Sequence, residues 1–192
     1  MKHYDYIGKL SEGKRRVKMG TPPVNLKCGY IDEAGNEIIP LIYSGVRDFS
    51  EGLAAVRTGN WADGKWGFIN GAGELVIDYR FQQPRNCMGG MIKAVVDGEW
   101  VYVDRKGSKT ISLKAYELAS RYRDGYAYVT KTRWPVKVDY TWGIIDENGN
   151  EVVPCKVHWG FSRSYNNNFK DDVKRYHAYL QNVKLNPAKD KK

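Results

Sequence analysis

The chain has 192 residues, of which 42% are hydrophobic and 28% charged. That balance belongs to a globular protein and excludes a disordered or fibrous one. The net charge of +9 invites a nucleic-acid reading, so the location of the charge has to be established first. No apolar stretch follows the first residues, so a secretory leader is not expected. No run approaches the ~20 apolar residues that span a bilayer, so no membrane insertion is expected. Cys28, Cys87 and Cys155 are widely spaced with no CxxC pair, which argues against a disulfide framework or a zinc site. Reduced thiols and a cytoplasmic location are the expectation.

The first element is the word Leu10-Ser11-Glu12-Gly13 followed by Lys14 to Lys18, a strand after a turn. A Pro-containing loop over 19–25 leads to Lys27-Cys28-Gly29-Tyr30-Ile31-Asp32. Gly35 and Glu37-Ile38-Ile39-Pro40 come next: a turn, then a third strand that the proline is expected to end. The same succession recurs. Phe49-Ser50-Glu51-Gly52-Leu53-Ala54 precedes Lys65-Trp66-Gly67-Phe68-Ile69-Asn70, Gly73 and Glu74-Leu75-Val76-Ile77. Met88-Gly89-Gly90-Met91 precedes Glu99-Trp100-Val101-Tyr102-Val103-Asp104, Gly107 and Lys109-Thr110-Ile111-Ser112. Arg123-Asp124-Gly125-Tyr126 precedes Trp142-Gly143-Ile144-Ile145-Asp146, Gly149 and Glu151-Val152-Val153-Pro154. The period is close to 40 residues.

A repeat at that period predicts four units of three short antiparallel strands, over about 10–48, 49–86, 87–121 and 122–161. One such unit buries too little apolar surface to stand alone, so the units must stack. Trp66, Trp100 and Trp142 are the expected stacking elements. The pattern leaves open whether the array is a propeller-like ring or an open one. Beyond a 1–161 β domain, a basic 162–192 segment follows. There Phe169, Val173, Tyr176, Leu180 and Val183 recur at helical steps, predicting a helix over 169–183 that caps the last unit.

These words resemble the WG (KWG) repeat family, above all Lys65-Trp66-Gly67-Phe68-Ile69, Trp142-Gly143-Ile144-Ile145-Asp146 and Phe49-Ser50-Glu51-Gly52-Leu53-Ala54. The resemblance covers about residues 10–161. The first unit departs from it with Cys28 in place of Trp, and the third with Val101 in place of Gly. It implies a bacterial or phage origin and an interaction role, with no catalytic motif to carry over.

The charge divides unevenly. Residues 1–27 carry +5, residues 28–162 carry −1 and residues 163–192 carry +5. The basic ends, Lys14, Arg15, Arg16 and Lys18 with Lys170, Lys174 and Arg175, would suit an acidic partner or would guard sheet edges. The loops between the first two strands of each unit vary most. Trp61, Arg133 and Trp134 stand there outside the common core and are candidate partner-binding residues. Asp32, Asp104 and Asp146 share one turn position, which makes them turn caps rather than a catalytic set. His3, His158 and His177 join no triad word, and no phosphate-binding glycine loop occurs. The expected function is a non-enzymatic protein-interaction module that needs no cofactor or metal and binds another protein. Two alternatives stand beside it. One is a nucleic-acid-associated accessory of a defence or counter-defence complex; the other is an enzyme with a non-obvious site.

Overall fold

The computed structural model describes residues 3–22, 25–60, 62–131 and 142–157, together with Asp171, Val173, Lys174, Tyr176, Ala178 and Gln181. Its strands form four antiparallel sheets, none closed on itself. The first holds β1 (Tyr6–Ser11), β2 (Lys14–Met19), β3 (Lys27–Ile31) and β4 (Glu37–Tyr43) in that order. The second holds β5 (Gly45–Val46), β6 (Ala54–Arg57), β7 (Trp66–Ile69) and β8 (Leu75–Phe81). The third has β9 (Met91–Val96), β10 (Glu99–Asp104) and β11 (Thr110–Ser112). The fourth has β12 (Leu118–Ala119), β13 (Tyr126–Thr130), β14 (Trp142–Asp146) and β15 (Glu151–Val157). The chain divides into two compact units, Met1–Ser112 with the first three sheets and Leu113–Lys192 with the fourth.

Two recurring words make the turns. In Ser-Glu-Gly, both central residues have positive φ: 52° and 72° at Glu12-Gly13, 53° and 77° at Glu51-Gly52. This is a two-residue turn of the mirror-image type, whose twist matches that of the strands it joins. Ser11 therefore pairs with Lys14, and Ser50 with Leu53. The Asp-x-x-Gly turn uses its acid as a cap. Asp32 Oδ1 accepts the Asn36 N–H at 2.7 Å, and Asp146 Oδ1 accepts those of Asn148 and Asn150 at 2.8 and 2.9 Å. Asn70 and Asp104 do the same.

Three sheets have four strands rather than the expected three, because a strand precedes the turn, of six residues in β1 and of two in β5 and β12. Proline does not end the third strand either: β4 runs through Pro40, and β15 through Pro154. The strand bulges at this place with or without a proline. Two steps along β7, Trp66 to Phe68, face four along β8, Phe81 to Ile77, and the first and fourth sheets repeat this register. The bulge explains the glycine after the Trp position. A Cβ on Gly67 would lie 2.7 Å from the Ile77 carbonyl oxygen, and one on Gly29 would lie 2.5 Å from that of Ile39. The third sheet has Val101 there, and its pairing with β11 runs without a register shift. Loss of the glycine and loss of the bulge are one event.

In the first compact unit the sheets stack face to face. Cys28, Tyr30, Ile39 and Tyr43 of the first sheet meet Ala54, Val56 and Ile69 of the second, with Val46 and Phe49. The opposite face of the second, with Leu53, Ala55, Phe68, Ile77 and Phe81, meets Ile92, Ala94, Val101 and Val103 of the third. The aromatic two places after the Trp position is the fully buried one: Tyr30, Phe68 and Tyr102. The tryptophans, expected at the centre, are at its margin. Trp66 and Trp100 are half-buried, and the first sheet needs none, since Cys28 is wholly buried in that place.

Side chains of the Ser-Glu-Gly turns staple one sheet to the next. Ser11 donates to the Phe49 carbonyl at 2.8 Å, and Glu12 accepts the Gly52 N–H at 3.0 Å. One repeat later, Ser50 donates to the Cys87 carbonyl at 2.7 Å, and Glu51 accepts the N–H groups of Gly89 and Gly90 at 2.7 and 2.9 Å. The third turn, Met88-Gly89-Gly90-Met91, carries neither serine nor glutamate.

The helix expected over 169–183 is not delimited, since most of that stretch lies outside the described residues. The six described positions have helical backbone, and Val173 and Tyr176 are buried against Ile144 and Val153. A periodic pattern of that length is marginal as an isolated helix, so only packing decides whether it forms. Among the described residues no helix is long and apolar enough to cross a membrane.

Candidate interaction surface

Of the residues that sequence singles out for partner binding, Trp61, Arg133, Trp134, Lys170 and Arg175 lie outside the described residues. Lys174 is exposed. Lys14, Arg15, Arg16 and Lys18 are all on β2, the second strand of its sheet. They do not form one patch. Strand alternation puts Lys14, Arg16 and Lys18 on the face toward the second sheet and Arg15 on the other. Lys14 Nζ lies 5.1 Å from the Phe49 ring centre. Arg16 Nε meets Asp48 Oδ1 at 2.9 Å, whereas Arg15 reaches the Gly8 carbonyl.

The sheets bring together a set of cations and rings that the sequence pattern does not announce. Arg47 and Arg85 each stand four residues before the first central residue of their turn. Each donates its backbone N–H to the neighbouring strand, Arg47 to Ala55 at 2.9 Å and Arg85 to Lys93 at 2.7 Å. Gly8 holds the same place in the first sheet, and the Arg16 side chain lies across it, 2.7 Å from where its Cβ would be. A guanidinium therefore occupies the same rung of three consecutive sheets. Each is laid on a ring: Arg16 at 5.3 Å from Tyr6, Arg47 at 5.4 Å from Trp66 and Arg85 at 6.0 Å from Trp100. Lys18 and Lys93 add a second cation to Tyr6 and Trp100 at 5.2 and 5.1 Å. Such contacts hold a flexible cation in place.

The rings obey the repeat in a way that alignment hides. Trp66 pairs through Arg57 with Gly45, and its ring covers that glycine. The corresponding row of the first sheet is Tyr6, Lys18 and Cys28. The ring is present on the same row but comes from the opposite strand. Burial pushes the Arg47 guanidinium below its ordinary value, and the charges of Arg85 and Arg16 push it further. Lys93 is lowered by burial and by Arg85. The Asp48 carboxylate opposes that shift in Arg47, whose Nε is buried without a hydrogen bond. Burial raises the Cys28 thiol although Lys18 and Arg16 lie near it. All three thiols are buried, and burial with the Glu51 carboxylate raises Cys87 to about 12.

A repetitive β-sheet stack held by turn side chains is the class of protein these features define. Within that class the family is specific: the WG containing repeat model matches residues 29–60, 66–100 and 142–168, and the chain is a WG-repeat protein. No curated protein matches it.

Proposed function

We propose that this chain is a non-enzymatic interaction module of a bacterial or phage cytoplasmic protein, binding another protein through its variable loops and basic segments. The observation that carries the reading is how the recurring polar residues are used. The repeat's acids, which alone could pass for a catalytic set, are spent on architecture. Asp32, Asp104 and Asp146 cap their own turns, and Glu12 and Glu51 bind the next sheet. What varies from unit to unit is then what is free to recognise a partner. The tail near Val173 and Tyr176 serves in this reading as a helical cap on the fourth sheet.

The test is quantitative affinity capture from the native host, comparing the full chain with a Trp61→Ala/Trp134→Ala variant. Partner recovery should fall severalfold with the fold intact by circular dichroism. An unchanged recovery removes the loops from the interface. A second reading, a nucleic-acid-associated accessory, rests on the charge of +5 carried by each of residues 1–27 and 163–192. It requires binding that weakens steeply with salt, and no binding to DNA or RNA at about 50 mM salt eliminates it.

A further inference from the structure

We propose that the row of Arg16, Arg47 and Arg85 is a track for an extended acidic peptide that places one carboxylate on each sheet. The proposal rests on the interaction reading and names its partner chemistry. Three features carry it. A guanidinium stands on one rung in three successive sheets, from the repeat position itself at Arg47 and Arg85 and from the facing strand at Arg16, so the spacing is set by sheet stacking, about 10 Å. Each is laid on an aromatic ring, which pre-orients the donor fork for a carboxylate. The acids at hand are too few: Asp48 engages Arg16, and among the described residues Arg47 and Arg85 form no ion pair.

Spacing selects the ligand. A polyproline-type strand rises about 3.1 Å per residue and returns to the same side every three residues, about 9.3 Å. Carboxylates at every third position therefore match the sheet spacing. The residues between them would lie over Tyr6, which is 41% exposed, and along the open edges of Trp66 and Trp100.

The test is fluorescence anisotropy with the full chain and a labelled peptide of four Glu-Pro-Pro triplets. Two probes accompany it: a peptide of the same composition with its glutamates contiguous, and an oligothymidylate of about twelve nucleotides. The spaced peptide should bind about tenfold tighter than the contiguous one. Arg85→Gln, at an exposed site, should weaken it about tenfold, the effect of losing one charge-assisted contact. Arg47→Lys keeps the charge but loses the fork, and should weaken it severalfold with an unchanged circular dichroism spectrum. Equal binding of the two peptides, or none, overturns the proposal. Tighter binding of the oligothymidylate overturns it too, and assigns the row to nucleic acid. Native-partner capture that survives both arginine substitutions leaves the interaction module standing and removes only the acidic track.

Discussion

Glu51 shows how much one residue of the repeat word does. It adopts a positive φ that costs a non-glycine residue about 1 kcal/mol, and it still holds the Gly89 and Gly90 N–H groups. Partial burial raises its carboxyl, but the bonds from Gly90, Gly89 and Cys87 and the Arg105 charge outweigh that and hold it below its ordinary value. A lowered carboxyl contributes stability above its unfolded value, and loses it as pH falls through the folded one. Glu51→Gln keeps the backbone strain and the shape but removes the charge. At pH 7 it should cost about 1–2 kcal/mol. Below pH about 4 the wild-type protein should lose stability faster than the variant, and near pH 2 the two melting curves should converge. A constant gap between them across that range would show that Glu51 acts by shape alone.

At the level of strands, the decisive contact is the glycine against the bulge. Gly67→Ala puts a methyl 2.7 Å from the Ile77 carbonyl, backbone that cannot swing aside. We expect a loss of about 2–4 kcal/mol, read by denaturant titration. Val101→Gly should also destabilise, because the third sheet has no bulge to relieve and loses a buried side chain. The substitution that restores the family word thus weakens this chain. The repeat words, their turns and the capping acids were all legible in sequence, because turn chemistry is local. The bulge was not. Pro40 suggested a strand end, and only the pairing of Cys28 with Tyr43 shows the strand continuing past it. Nor was the ring row legible, since Tyr6 and Trp66 stand on different strands and align only through their partners. The glycine at 45, under the Trp66 ring, was the one local trace of it.

For the whole molecule, the staple sets the unit of folding. Ser11 and Glu12 bind the second sheet, Ser50 and Glu51 bind the third turn, and that turn has no such side chain to pass on. Both faces of the second sheet are buried, one against each neighbour. A single sheet lacks the apolar burial to offset chain entropy, whereas three stapled sheets share two continuous cores. The compact unit Met1–Ser112 should therefore fold by itself. A fragment of residues 1–112 should show a β-type circular dichroism spectrum and one cooperative urea transition, while a fragment of residues 1–48 should show neither. Glu51→Gln in the longer fragment should lower its midpoint, because the bond it removes lies wholly inside that fragment. An unfolded 1–112 fragment would mean that the third sheet depends on residues after Ser112, and that the staple is not what bounds the cooperative unit.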